Sequence, residues 1–426
     1  MIIMEEFLMN SVSSNKSRAI LVVFLAWLVY TVSYFGKVNY SANITQIIDF
    51  YNVSKAQAGA VPTFFFFAYG IGQVINGLFC KKYNIKWMIF ASLITSGIVN
   101  LIIAVSTNFA IIKWLWLLNG LALSVLWPTL IRLISECTPQ KVLGKSTVLM
   151  GTSVASGTLI IYGLSSLFAF LNRFKFSFYT ASFSIFAVAL IWIIFYKKIV
   201  AVAKKEKAEE KAVAETKKAE TAKQEDENTD NRIFFLSLYI LCFCAIGVNL
   251  IKDGLTTWVP SILKEEFSMS DSLSILLSLF LPILAVVGNA FAVKVHKKIP
   301  DYINHCGTIF AVIAFMICVI IGSLSTKLVI VMLFGLIASN FFASSLNSLI
   351  TSIYPLFMRG RVNSGKIAGI LNGFCYLGST LSSYGLGAIA DNFGWTSVFF
   401  VLLGFSVLML AVWGGYHLYK RSLKTI

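Results

Sequence analysis

Long apolar runs bounded by charges or turn residues recur twelve times along this chain. Six lie near residues 18–48, 58–80, 86–107, 110–135, 144–171 and 176–196, and six more near 232–262, 272–294, 302–322, 327–355, 362–390 and 396–419. A helix crosses the hydrocarbon core of a bilayer with about 20 apolar residues, so each run is long enough for one crossing. Twelve crossings need roughly 240 apolar positions, and a 58% hydrophobic share of 426 residues supplies that number. Charged residues are only 13% of the chain, against about 25% in a soluble domain. The expected fold is an all-α membrane protein of twelve transmembrane helices, here called spans 1 to 12.

The runs divide into six, a break, and six. The expected units are a tail at 1–17, a six-helix bundle at 18–196, a charged linker at 197–231, a second bundle at 232–419 and a tail at 420–426. The linker is rich in Ala, Lys and Glu and has no apolar face; pairs such as Lys205 and Glu209, or Lys211 and Glu215, stand at helical i,i+4 spacing. It reads as a solvated tether.

Net charge of +16 would suit a nucleic-acid binder if it were gathered in one place. It is not. The linker holds nine Lys against nine Asp or Glu and cancels, and the excess lies in short loops between apolar runs. One side of the membrane collects Lys16, Arg18, Lys81, Lys82, Lys86, Arg132, Lys141, Lys145, Arg232, Lys294, Lys297, Lys298, Arg359, Arg361, Lys366, Lys420, Arg421 and Lys424. The other collects Lys55, Lys113, Arg173, Lys175, Lys264 and Lys327. Eighteen against six makes the first side, called here the basic face, the expected cytoplasmic one, with both termini and the linker on it. No cleavable signal pattern precedes span 1, so that span is expected to remain as an anchor in the plasma (inner) membrane. Seven cysteines, nearly all within apolar runs, read as small buried hydrophobes, and neither a metal site nor a cofactor is expected.

The two halves look like repeats of one another. Span 1 continues as YFGKVNYSANITQIIDFYNVSKAQAG and span 7 as GVNLIKDGLTTWVPSILKEEFSMSDS, each with a lone lysine, an apolar stretch and a Ser-bearing turn. Lys37 follows Arg18 by 19 residues and Lys252 follows Arg232 by 20; Lys37 precedes Asp49 by 12, and Lys252 precedes Lys264 by 12. At about 1.5 Å per residue both ammonium groups lie roughly 18 Å from the far-face charges, beyond the roughly 6 Å reach of a lysine stem. A charge at that depth costs about 2.5–3.5 kcal/mol on the insertion scale and survives where it meets a cavity or a partner.

Carboxylates to neutralise the two lysines are scarce. Asp253 is the one acid well inside a span, with Glu136 near a span end, and His296, His305 and His417 fall in loops or at span ends, so no buried imidazole is expected. Two cations with at most one carboxylate leave room for an anionic ligand. Asp253 is about 100° round the helix from Lys252, which makes pairing of the neighbours awkward; it is expected to pair with Lys37 or to carry a proton. Tyr34, Asn39, Tyr69, Asn249, Trp258 and Asn340 are candidate hydrogen-bond donors to a ligand, alongside the alternative of interhelical contacts. Glycines 70, 72, 77, 365, 369, 373 and 378 read as close-packing positions, and Trp127-Pro128 predicts a kink in span 4. The sequence has no P-loop, HExxH motif or nucleophile elbow, so enzyme chemistry is not expected.

The layout of two six-helix halves resembles the major facilitator superfamily, and several strings resemble its organophosphate:phosphate antiporter branch. Tyr34-Phe35-Gly36-Lys37-Val38-Asn39 is similar to a Tyr-rich segment ending in Arg-x-Asn. Lys252-Asp253-Gly254, Trp258-Val259-Pro260 and Leu263-Lys264-Glu265 are similar to an Arg-Tyr-Gly, Trp-Ser-Pro, Leu-Lys-Glu run. Trp127-Pro128 with Arg132, Gly373 to Gly378 and Phe393-Gly394-Trp395 also match the branch pattern. The resemblance implies that Lys37 and Lys252 stand where the branch has two substrate-phosphate arginines. The sequence departs from the pattern there, near Ser153 where the branch has a histidine, and at Cys80-Lys81-Lys82 where the superfamily has a loop acid. A neighbouring branch, the anion:cation symporters for hexuronates and other organic acids, shares the Arg-x-Asn pattern.

The expected function is secondary transport of a small organic anion by alternating access, with a phosphorylated metabolite exchanged for inorganic phosphate. The alternatives are a proton-coupled symporter of carboxylates, with Asp253 titrating, and a transport-like metabolite sensor. The expected partners are the metabolite, phosphate and the lipid bilayer, with no nucleic acid, and the expected working unit is a monomer.

Overall fold

In a computed structural model the described residues are 2–79, 84–138, 140–201, 231–299, 301–357 and 364–422. Most of the expected linker, at 202–230, lies outside them, as do the loop residues Lys81, Lys82, Arg359 and Arg361. The described residues form eleven helical stretches long and apolar enough to cross a membrane: Ile20–Ala42, Lys55–Asn76, Ile85–Val105, Phe109–Cys137, Leu149–Phe170, Lys175–Lys198, Phe235–Phe267, Asp271–Lys298, Tyr302–Thr326, Val329–Ile353 and Ile367–Tyr419. The last is 53 residues long and breaks at Gly394, whose φ of 77° is open to a residue without Cβ. Spans 11 and 12 meet there, and the count is twelve.

Local chemistry sets where the helices begin and end. Asn84, Asn108, Ser270 and Asp301 accept hydrogen bonds from first-turn amides of spans 3, 4, 8 and 9, relieving donors that have no partner inside a helix. Asn52 after the span 1 segment and Ser268 after span 7 both turn through left-handed backbone, at φ 49° and 53°, so the repeat seen in the sequence extends to the turn that closes it.

Proline breaks the ladder at matched places. Pro128 cannot donate to the carbonyl four residues back, at Ser124, and the helix is interrupted at Val125 between Phe109–Ser124 and Leu126–Cys137. The Ser124 carbonyl instead accepts from Gln73 at 3.5 Å. In span 10, the equivalent helix, Leu349–Ile353 widens to a π-helical turn just before Pro355. Pro62 frees the Ala58 carbonyl in the same way, and the Tyr40 hydroxyl donates to it at 3.0 Å. A backbone group left bare in lipid costs several kcal/mol, so each substitute partner is part of what makes the kink tolerable.

Within the first half span 1 packs on spans 5 and 6, span 2 on span 4 and span 3 on span 6; within the second, span 7 packs on span 11 and span 10 on spans 8 and 9. The halves meet where span 2 lies along span 11 and span 5 along span 8, the same pairing with the repeats exchanged. Small residues allow these approaches: a Cβ at Gly70 would stand 2.7 Å from Tyr376 Cβ, at Gly72 it would overlap Ser124, and at Gly378 the Ile246 carbonyl. Gly369 and Gly373 differ from the sequence expectation. A Cβ at Gly369 would meet nothing within 4 Å, and at Gly373 only Val74 at 3.9 Å, because both face away from the tight contact. A second correction concerns His305, which is fully buried one turn inside span 9 and stacks near His296 with ring centroids 6.2 Å apart. Span 9 starts at Tyr302, early enough to carry His305 into the bundle.

Gly378→Ala should lower the unfolding temperature in detergent, because overpacking of this kind costs about 1–3 kcal/mol. Gly414→Ala, where a Cβ meets open space, should leave it unchanged or raised. Equal melting curves for the two variants would show that the span 7–span 11 contact yields freely.

Candidate functional site

Tyr30, Tyr34 and Lys37 follow one another at four- and three-residue steps in span 1, which puts them on one helical face. The Lys37 ammonium sits over three aromatic rings, 4.1 Å from the Tyr69 centroid, 5.0 Å from Tyr34 and 5.8 Å from Phe65. Phe65 and Tyr69, one turn apart in span 2, stack with centroids 5.5 Å apart, and the Gln73 amide donates to the Tyr69 hydroxyl at 3.2 Å. Tyr30 packs on Tyr34 at 5.4 Å and on Trp127 of span 4 at 4.9 Å. Cation–π contacts contribute about 0.5–2 kcal/mol each, enough to offset part of the cost of an ammonium at this depth. Among the described residues no carboxylate stands within ion-pair reach of Lys37, although Asp253 is close enough to act on it electrostatically.

The same cluster continues into the second half. Tyr69 meets Tyr376 of span 11 at 5.0 Å between centroids. One turn further along span 11, Ser379 donates its hydroxyl to Asp253 Oδ2, and Asp253 Oδ1 lies 3.1 Å from Lys252 Nζ. The two lysines are therefore linked by contacts from Lys37 through Tyr69 to Tyr376 and, one turn along the same helix, from Ser379 through Asp253 to Lys252. Lys252 and Asp253 remain 23% and 18% exposed.

The direct Lys252–Asp253 pair corrects the expectation that Asp253 pairs with Lys37 because pairing with its neighbour is awkward. A four-carbon stem with free torsions swings across the 100° between adjacent positions, and the Ser379 hydroxyl holds the carboxylate in place. With Asp253 in place the anion deficit at the centre is one charge, the smaller of the values that the sequence allowed.

Of the other expected residues, Tyr34 and Tyr69 stand beside Lys37. Asn249 is buried behind Lys252, donating to the Ala245 carbonyl at 3.1 Å and to Asn347 Oδ1 at 2.9 Å, where Cys375 Sγ also points. Asn39, Trp258 and Asn340 are engaged elsewhere. Asn39 is fully buried against span 3, donating to Asn100 Oδ1 at 2.9 Å. Trp258 donates to the Ser383 carbonyl at 3.1 Å near the far face and packs on Trp395. Asn340 ties span 10 to Thr256 of span 7 at 3.3 Å. Each sits where helix rotation turns it into a neighbouring helix. Sequence reasoning missed Phe65, Tyr376, Ser379 and the ring of Trp127. Tyr376 lies within the quoted Gly373–Gly378 string; Phe65 is one of four consecutive phenylalanines and Ser379 one of many span serines, with no local mark to single them out.

At the far face the halves are fastened together. Asp391 of span 11 accepts from the backbone amides of Lys55 and Ala56, at 3.1 and 2.7 Å, at the start of span 2. Lys55 Nζ lies 3.1 Å from Glu265 Oε2, and Lys264 pairs with Asp49 at 2.6 Å and Asp271 at 2.9 Å. Thr63 donates to the Thr380 carbonyl and accepts from the Tyr384 amide, both at 3.0 Å, and Ser166 donates to the Ser272 carbonyl at 2.8 Å.

A family model described as Major Facilitator Superfamily matches residues 26–365. "Membrane sensor protein UhpC" of Escherichia coli (strain K12) is 28% identical over 94 residues, 22% of this chain and 21% of that protein. This chain thus aligns with about a fifth of the sensor's length. "Probable hexose phosphate transport protein" of Chlamydia pneumoniae is 20% identical over 437 residues, covering 94% of this chain and 91% of the relative. Among solved structures, an inward-facing, unoccupied bacterial homolog of the human lysosomal transporter Spinster superposes with a TM-score of 0.71 at 14% identity, over 94% of this chain and 97% of that one.

The far-face ion pairs are partly exposed, and such pairs contribute about 0.2–1 kcal/mol each. Lys55→Ala combined with Lys264→Ala should therefore open the far face several-fold more often. In a background without native cysteines, Ser383→Cys places a thiol at this buried contact; a membrane-impermeant maleimide should label it faster in the double variant. An unchanged labelling rate would mean that the closure rests on other contacts.

Proposed function

We propose that this chain, which belongs to the Major Facilitator Superfamily, exchanges a small phosphorylated metabolite for inorganic phosphate by alternating access. Family and fold make it a secondary transporter of a small solute across a membrane. The finer reading is carried by one observation: a lysine from each of two equivalent spans, each in contact with side chains that lead to span 11, with a single carboxylate among them. The likeness to the Chlamydia hexose phosphate transport protein supports the same cargo class. The basic face is the cytoplasmic side of the plasma membrane, and the protein acts as a monomer.

In this reading Lys37 and Lys252 hold the anionic group, while Tyr34, Tyr69 and Tyr376 present ring faces and hydroxyls to the body of the metabolite. An ammonium donates up to three hydrogen bonds as a compact point charge, so a phosphoryl group can bridge the two lysines without the planar fit an arginine would demand. Because one lysine belongs to each half, a bridging anion ties the halves at mid-depth. That tie compensates for the loss of the far-face contacts as the halves rock past one another. A ligand shifts a conformational equilibrium only by its differential affinity for the two states, and the bridge supplies that difference. An empty carrier lacks it and reorients slowly, which makes the transport an exchange.

In proteoliposomes, uptake of labelled glucose 6-phosphate should require phosphate or a sugar phosphate on the opposite side. Equal uptake without a trans anion would remove the exchange claim. Lys37→Ala and Lys252→Ala should each weaken binding by roughly 10- to 100-fold, as expected for losing a charged hydrogen bond of about 1.5–3 kcal/mol. Tight ligand binding with no flux would instead favour the sensor reading.

A further inference from the structure

We infer that Asp253 is a built-in counter-charge that sets the cargo's charge at one net negative charge, so that a phosphate ester is carried as its monoanion. The inference rests on the site proposed above and concerns what that site selects.

The cluster contains two ammonium groups and one carboxylate. Span 1 contributes Lys37, Tyr30 and Tyr34; span 2, Tyr69; span 7, Lys252 and Asp253; span 11, Cys375 and Tyr376. On span 4, Arg132 is paired with Glu136 at 2.7 Å and adds no net charge. Phenols and thiols are ordinarily uncharged near neutral pH. The formal sum is +1.

Two features make the carboxylate a fixture rather than a passing partner. It is bound at both oxygens, Oδ1 by Lys252 and Oδ2 by the Ser379 hydroxyl. Both partners belong to spans 7 and 11, which pack together in one half, so Asp253 travels with Lys252 when the halves move apart. Lys37, in the other half, has rings around it and no carboxylate in ion-pair reach among the described residues. The position that calls for a negative charge is therefore single.

A surplus charge on the loaded site is expensive in a poorly hydrated interior. A monoanion brings the loaded site to zero, whereas a dianion overshoots by one and meets the Asp253 carboxylate. A phosphate monoester loses its second proton near pH 6; above that pH the monoanion is a small and shrinking fraction. The site should consequently hold the ester more weakly as pH rises, for a reason that lies in the ligand. A sulfate ester of the same sugar is a monoanion throughout and should show no such decline.

The experiment compares glucose 6-phosphate with glucose 6-sulfate as ligands of the purified full-length protein at pH 5.5 and 8.0, in wild type, Asp253→Asn and Asp253→Glu. In wild type, affinity for the phosphate ester should fall roughly 50- to 100-fold between the two pH values, tracking a second pKa near 6, while affinity for the sulfate ester stays level. Asp253→Asn should remove the decline and favour the phosphate ester over the sulfate ester at pH 8.0 by tenfold or more; Asp253→Glu should restore the wild-type pattern. The sulfate ester also reports any titration of the protein itself. A wild-type protein that binds the phosphate ester at least as well at pH 8.0 as at 5.5 overturns the inference, and this arm does not depend on any variant folding. An unchanged phosphate-to-sulfate ratio in a folded Asp253→Asn protein overturns it too. If neither ester nor inorganic phosphate binds wild type at either pH, the phosphorylated-cargo reading fails and the inference falls with it.

Discussion

An ammonium group halfway along an apolar helix has to be met by something, and this molecule meets its two in different ways. Lys252 has a carboxylate one residue away, steadied from span 11 by Ser379. Lys37 has the faces of Tyr34, Phe65 and Tyr69. Rings attract a cation without cancelling its charge, and their pull is smaller than that of an anion at hydrogen-bond distance. The first half thus keeps an electrostatic demand that the second half has largely met. That asymmetry, within an architecture of near-equal repeats, gives the proposed site a direction: an anionic cargo would lie toward Lys37, with the internal counter-charge behind Lys252.

The scaffold around the lysines separates what must hold from what must let go. Contacts inside each half include buried hydrogen bonds, such as Asn39 to Asn100, and close approaches at glycine, such as Gly378 beside Ile246. Where prolines open the helical ladder, Tyr40 and Gln73 cover the freed carbonyls. The far-face contacts between halves include partly exposed ion pairs such as Lys264 with Asp49. Partly solvated pairs are weak and easily exchanged for water, which suits a seam that would open in the proposed cycle. Buried bonds are costly to leave unmade, which suits a half that moves as a unit.

How much of this could be read beforehand differs from residue to residue. Lys37 and Lys252 stood out because a charge in the middle of an apolar run is anomalous whatever surrounds it. The kink at Trp127-Pro128 was legible for a similar reason: a missing amide is a property of the residue itself. Asn39, Trp258 and Asn340 carried the same kind of label, polar within a span, yet they fasten helices to one another, because the label does not say which way the helix is turned. His305 was assigned to a span end on its position in the sequence, and a span that starts at Tyr302 buries it. Tyr376 is legible only as part of the Gly373–Gly378 string and Ser379 not at all, since their importance comes from lying opposite Tyr69 and Asp253.

Hydropathy is a sum along a single stretch of chain, so the sequence by itself determined that the chain forms twelve membrane-spanning helices and that two of them carry a lysine far from either end. Partnership is a relation between stretches. It depends on how each helix is rotated and which helix lies beside it, and only the packed structure decided that Asp253 turns back to its neighbour, that span 11 supplies Tyr376 and Ser379, and that Asp391 of one half closes over the first turn of span 2 in the other. A charge announces its cost locally, but the group that answers it is chosen by the fold.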